Sequence, residues 1–274
     1  MNCGRVKTEK LKWLSANPFY TKRFAYFVGR KCKRSSIKDV ARELRLNWKI
    51  VKSLEKQYMR EQLRRSSKLR PKVIGIDEIS LRKGHEYRII VSDLEKRIPI
   101  WFGGQDRSTD SMDEFYHYLG IKSSKKIRLA VMDMWKAFEK SAKKNIPQAT
   151  ILYDKFHIMR HLNKALDQIR KQEYARLSGK HRKYVKGKKY VLLSKQKNLS
   201  SDGRASLKEL FKANKRLNIA YLLKESFGQL WSYQIEGWAR RFFNNWKNSL
   251  RWQRLKPYHK FTKLIDRHWD GIAA

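Results

Sequence analysis

Val73-Ile74-Gly75-Ile76-Asp77-Glu78 is an apolar run of strand length that ends in a carboxylate, and Leu129-Ala130-Val131-Met132-Asp133-Met134 repeats the pattern. A buried strand that closes on an unpartnered charge is costly, so two such endings call for a reason. Between them lie two more strand candidates, Tyr87–Val91 and Ile98–Phe102, where Pro99 indicates an edge or a strand start. Lys83-Gly84-His85 and Leu94-Glu95-Lys96-Arg97 are the hairpin loops that would join these three strands antiparallel. Ser111–Leu119 then reads as a helix, with Met112, Phe115, Tyr116 and Leu119 on one face and Gly120 as its stop. The second Asp-terminated run starts at Ile127, a helix is expected over Trp135–Lys144, and Ala149–Tyr153 is a fifth strand ending at Asp154. Three strands, helix, strand, helix, strand describe an α/β fold, a mixed sheet with helices packed on it.

Upstream the period changes to that of a helix. Ile37, Val40, Ala41 and Leu44 share one face, and Ser36 with Asp39 forms a capping-box-like start. Asn47 can cap a second helix that buries Val51, Leu54 and Tyr58. Two short helices so closely joined describe a helix-turn-helix over 34–65. The second helix would present Trp48, Lys49, Lys52, Ser53 and Lys56 outward, side chains suited to reading DNA in the major groove. An ordinary helical hairpin is the alternative. Residues 1–33 form a basic N-terminal segment and 66–71 a polar linker, leaving 72–157 for the sheet and 158–274 for a helical region.

In that helical region Met159, Leu162, Leu166 and Ile169 make one stripe. The strongly basic stretch 178–189 reads as an exposed loop, Ser206 and Glu209 as a capping box, and Trp238, Phe242 and Trp246 as a core-facing row. Most of the nine Trp are expected in the core. Lys and Arg total 65 against 25 acidic residues, a formal net charge of +40. A compact body so charged repels itself until a polyanion neutralises it, which points to nucleic acid. No apolar stretch approaches the ~20 residues that span a bilayer, so no membrane partner is expected. The start, MNCGRVKTEKLKW, has no signal-peptide core, and two cysteines, Cys3 and Cys32, imply no disulfide framework. A cytoplasmic setting follows.

If the strands before Asp77 and Asp133 are neighbours, the two carboxylates converge and repel, and a divalent cation relieves the repulsion. Oxygen donors suit Mg²⁺ or Mn²⁺. Such ions activate a water or 3′-hydroxyl and stabilise the leaving oxygen in phosphoryl transfer, the chemistry of nucleases and polynucleotidyl transferases. The alternative is that each Asp is a turn former or cap.

The segments VIGIDEISLRKGHEY, LAVMDMWKAF and ILYDKFHIMRHLNKALDQIR, in this order, resemble the DDE transposases of the ISL-three insertion-sequence family. The resemblance extends to the helix-turn-helix before them and the helical region after. It implies a ribonuclease-H-like catalytic core in which Asp77 and Asp133 are the first two acids and metal ligands. Asp154 and His157 match a segment next to the site, with a helix cap and a packed His as the alternative. It further implies binding of double-stranded DNA at terminal inverted repeats, as a homodimer or higher oligomer, by a bacterial, nucleoid-associated protein. Family members carry a zinc ribbon of Cys-x-x-Cys pairs ahead of the helix-turn-helix. Here Cys3 matches only its last cysteine, so 1–33 reads as a remnant and no zinc is expected. The family's third acid, a Glu in an Asn-Gly-x-x-Glu-Gly-x-Asn-like segment, is not found before Ala274. Glu236 in Ile-Glu-Gly-Trp imitates it but precedes the Trp-rich helix and is not assigned. The chain is therefore expected to be trimmed at both ends. A catalytically inactive DNA-binding remnant, and an RNA-binding protein, are the alternatives to an active transposase.

Overall fold

The structure, a computed structural model, describes residues 11–65, 70–82 and 86–273. Cys3, most of the 66–71 linker and the Lys83–His85 loop lie outside them. The chain divides into two compact units, Met1–Lys68 and Leu69–Ala274.

The first unit is built from α1 (Lys22–Cys32), α2 (Ile37–Glu43) and α3 (Trp48–Arg65). Ser36 caps α2 by accepting from Asp39 N at 3.2 Å, and Asn47 Oδ1 accepts from Lys49 N at 2.9 Å at the start of α3. Between α2 and α3 the chain turns sharply, with Arg45 at φ +52°, a conformation L residues adopt at a cost. Val40, Ala41, Val51 and Leu54 are buried as the helical period requires, but so are Ala25 and Val28 of α1. The bundle is therefore three-helical. Its first helix lies in the stretch that the sequence alone left outside the helix-turn-helix, because the unbroken apolar run Phe24–Gly29 shows no 3.6-residue period. Gly29 lets α1 and α3 meet closely: a methyl group there would fall on the base of the Tyr58 ring. Gly29→Ala should therefore destabilise the bundle by about 1–3 kcal/mol despite the better helix former. A thermal melt followed by amide exchange in α1 and α3 checks this, and unchanged protection would refute the close approach.

The second unit is organised on five strands: β1 (Val73–Arg82), β2 (Glu86–Asp93), β3 (Ile98–Gly103), β4 (Leu129–Met132) and β5 (Thr150–Tyr153). Their spatial order is β3-β2-β1-β4-β5, antiparallel on the β3 side of β1 and parallel on the β5 side. β3 is an edge strand, which accommodates Pro99 without an unmade ladder bond. α4 (Thr109–Leu119), the single turn α5 (Ile121–Ser124) and α6 (Lys136–Asn145) fill the connections. α4 packs on β2, β3 and α6. Beyond the sheet run α7 (Lys155–Arg176), α8 (Gly179–Val185), α9 (Lys189–Leu193), α10 (Ser201–Ala213), α11 (Lys215–Phe227), α12 (Glu236–Ser249), α13 (Lys256–Arg267) and α14 (Trp269–Ala273). One continuous core joins Ile74, Ile76 and Met132 of the sheet to Leu162 and Leu166 of α7 and to Phe243 and Ile265 further on.

Three expectations for the helical region fail for identifiable reasons. The basic stretch 178–189 is not an open loop: α8 occupies much of it, anchored by buried Val185, and Arg182 lies 4.5 Å from the Tyr174 ring. Ser206 caps nothing, because α10 already starts at Ser201, with Ser200 accepting from Gly203 N. Trp238, Phe242 and Trp246 do not share one buried face. A four-residue step overshoots a 3.6-residue turn, so the row drifts around the helix. Ala239, Phe243 and Trp246 are buried instead, while Trp238 is 54% exposed. Nor are most Trp in the core: Trp13, Trp48, Trp135, Trp238 and Trp252 are all exposed.

Candidate active site

Parallel pairing of β1 with β4 puts Ile76 opposite Met132. The next residues, Asp77 and Asp133, therefore emerge at the same end of neighbouring strands. Asp77 still belongs to β1, whereas Asp133 is the first residue past β4. Met132 is likewise opposite Tyr153, so Asp154 leaves β5 at this end too. The carboxyl ends of parallel strands are where α/β sheets open a crevice.

Each acid is steadied by its own backbone. Asp77 Oδ1 accepts from Glu78 N at 2.8 Å and Asp133 Oδ1 from Met134 N at 2.6 Å. His157, in the first turn of α7, stands against both: Nε2 is 3.8 Å from Asp77 Oδ1 and Nδ1 3.2 Å from Asp133 Oδ2. The Asp133 contact is close but lacks hydrogen-bond alignment, leaving the buried Nδ1 without a bonded partner. The imidazole is 11% exposed, against 60% for the Asp77 side chain and 32% for Asp133, so the carboxylates face solvent and the ring backs them. Asp154 takes a different role. It is the N-cap of α7, accepting from Phe156 N at 2.8 Å, and so fixes the turn that carries His157.

Several neighbours lie outside the set expected from the sequence. Arg107 donates to Glu78 Oε1 at 3.1 Å, and its guanidinium lies 4.3 Å from the Tyr87 ring and 4.7 Å from the Trp135 ring. Trp135 Nε1 returns a hydrogen bond to Arg107 O at 2.8 Å. One side chain thus ties the residue after Asp77 to the segment after Asp133. His161, one turn beyond His157, has its pKa lowered by burial, with the charge of Asp133 opposing. Its signal was the four-residue spacing from His157, one helical turn.

His268 packs edge-on against Tyr153, its Nδ1 3.4 Å from the phenol oxygen. Burial lowers its pKa below the ordinary 6.5; Glu139 opposes this, and Arg267 and Lys136 add to it. A group lowered on folding contributes its full stability above its unfolded pKa and loses it as pH falls towards the folded value. The chain should therefore lose stability below about pH 6.5, and His268→Phe, which keeps the ring, should lose less. Melting temperatures at pH 7.5 and 5.5 test this; equal acid losses in both proteins would reject it.

The donor set suits a hard cation. Two carboxylates with exposed oxygens supply as many protein ligands as Mg²⁺ commonly takes alongside water and phosphate. Among the described residues no group of three His, Cys, Asp or Glu side chains surrounds a common point. Glu236 is engaged elsewhere, its Oε1 accepting from Trp269 Nε1 at 3.0 Å. In the first unit, Trp48, Lys49, Lys52, Ser53 and Lys56 are all exposed on α3, with Lys52 Nζ 5.9 Å from the Trp48 ring. No helix among the described residues is long and apolar enough to cross a membrane.

A five-stranded mixed sheet with two Asp at adjacent strand ends is the arrangement of a DDE-class transposase core, and the chain also carries a separate three-helix unit. The family description "Transposase", DDE type of ISL3, matches residues 74–274, and "Helix-turn-helix domain of transposase family ISL3" matches residues 9–59. The chain belongs to the ISL3 family of transposases. It is 29% identical over 275 aligned residues to the transposase for insertion sequence element IS1001 of Bordetella parapertussis, covering 99% of this chain and 68% of that protein. It is 26% identical over 225 residues to the transposase for IS1557 of Mycobacterium tuberculosis, in strains CDC 1551 and H37Rv, covering 73% of this chain and 50% of those proteins. The chain thus spans about two thirds of one curated relative and half of the others.

Proposed function

We propose that the chain acts in DNA transposition by gripping insertion-sequence ends through α3 and cleaving and joining DNA at Asp77 and Asp133. The single observation behind the catalytic half is the shared strand-end position of these two acids with His157 between them. Asp77 and Asp133 would hold Mg²⁺ or Mn²⁺, which supplies charge neutralisation at the scissile phosphate and a more acidic attacking hydroxyl. The chain's own contribution is placement. Backbone amides of Glu78 and Met134 fix one oxygen of each acid, the Asp154 cap sets His157 behind them, and Arg107 braces both loops. Trp48, Lys49, Lys52, Ser53 and Lys56 would enter the major groove at a terminal inverted repeat. Two ends must be held together, so the working form would be at least a dimer, on the nucleoid of a bacterial cytoplasm. The test is incubation of the chain with inverted-repeat plasmid, with Mg²⁺ or Mn²⁺ and with a chelator. Metal-dependent nicking at the repeat is expected; binding without nicking in either metal would reject the catalytic half.

A further inference from the structure

α7 leaves the candidate active site with two working faces. His157 stands against both acids, and His161 follows it one turn further along the same side of the helix. The neighbouring face, which includes Phe156, Arg160, Asn163 and Lys164, lines a cleft of about 480 Å³. Met159, Asn163 and Leu193 also border a second cleft of about 760 Å³, so the two make one groove. At 1.5 Å per helical residue, Lys164 lies ~10 Å along α7 from His157.

The groove carries an excess of unpaired positive charge. Arg160, Lys164, Lys189, Lys195, Lys197 and Arg204 line it, all exposed, and none pairs with a carboxylate among the described residues. The acids that border it are already engaged: Asp167 with Arg170 at 2.8 Å and Lys171 at 3.5 Å, Glu225 with Lys224 at 2.8 Å. Lys224 itself is buried and donates to Leu192 O and Ser194 O, so it belongs to the floor and not to the ligand-facing set. Six unneutralised cations facing one trough repel each other, and a polyanion laid in the trough removes that repulsion.

We propose that this groove holds the sugar–phosphate backbone of the DNA adjoining the bond placed at Asp77 and Asp133, a second DNA contact separate from α3. The proposal rests on the reading of those acids as the cleavage site, since α7 runs from them into the groove. Phosphate contacts have a distinctive readout: the slope of log affinity against log salt falls by ~0.9 for each one removed. The full chain is titrated with salt on inverted-repeat duplex DNA, alongside Lys195→Ala/Lys197→Ala/Arg204→Ala and, separately, Arg160→Ala/Lys164→Ala. The slope should shrink by ~2–3 in the triple variant and by ~1–2 in the double, with weaker binding at any fixed salt. Lys49→Ala/Lys52→Ala/Lys56→Ala in α3 should lower it independently, and the groove and α3 losses should add. If both groove variants keep the parent slope and affinity while the α3 variant does not, the groove proposal is overturned and the transposase reading stands. If groove variants lower the slope but the parent never nicks DNA with metal, the groove contact stands and the catalytic reading fails.

Discussion

Asp133→Asn should leave the chain folded and DNA-bound while lowering metal-dependent nicking by at least ~10²–10³-fold, the equivalent of ~3–4 kcal/mol of transition-state stabilisation. Asn keeps the side-chain shape and can still accept from Met134 N, so the loop after β4 should not move. What it removes is the negative charge that draws a divalent cation. Asp77→Asn should lose a similar factor, and the double variant little more than either, because two ligands of one site fail as a unit. Asp154→Asn is the discriminating control. Its observed task is to cap α7, and Asn caps about as well as Asp, so nicking should change only a few-fold. Nicking kinetics on inverted-repeat DNA, with Mn²⁺ binding measured calorimetrically on the same variants, separate the cases. Full activity in both Asp77→Asn and Asp133→Asn would remove these residues from the chemistry, and a collapse in Asp154→Asn would bring that residue into it.

Much of this site was legible because its cause is local. An apolar run that stops on Asp is visible without a structure, and the change from short apolar runs to helical periodicity set the strand and helix order around it. The step from two Asp to one site depended on β1 and β4 being neighbours, which a resemblance implied and the register fixes. Arg107 was invisible because its partners come from β1, β2 and the segment past β4, and nothing in the sequence near Arg107 anticipates them. α1 was missed for the opposite reason: its signal is local, but Phe24–Gly29 is an unbroken apolar run flanked by basic pairs, so no helical period marks the buried face of Ala25, Val28 and Gly29. Trp residues misled because in so basic a chain their rings also serve as platforms for cations, as Arg241 lies near Trp238 and Arg251 near Trp252. The charge excess, read only as a preference for polyanions, gained a place once α7 was seen to run from the acids along an unpaired cationic groove.

The floor of that groove gives the largest expected stability effect. Lys224 is only 2% exposed and its charge is met by Glu225 at 2.8 Å and by the carbonyls of Ser194 at 2.7 Å and Leu192 at 3.2 Å. Burial lowers its pKa below the ordinary 10.5, with Glu225 opposing. Glu225→Ala would strand this ammonium. Breaking a buried pair costs about 3–5 kcal/mol, and the partial exposure of Glu225, 27% of its side chain, trims the expectation to about 2–3 kcal/mol. Lys224→Met/Glu225→Ala should be more stable than Glu225→Ala alone, because an apolar chain of similar length carries no charge to desolvate. The pH dependence has a definite sign. A lysine whose pKa is lowered on folding gains stability as pH rises, so the deficit of Glu225→Ala should narrow as pH approaches 10.5. Urea titrations at pH 7.5 and 9.5 decide it: a Glu225→Ala chain as stable as the parent, or a double variant no better than the single, would show that Lys224 is not held by this pair. Because Lys224 also fastens Leu192 and Ser194, next to Lys195, a loosened floor should blur the groove's DNA contacts as well, whereas Lys195→Ala should weaken them without lowering stability.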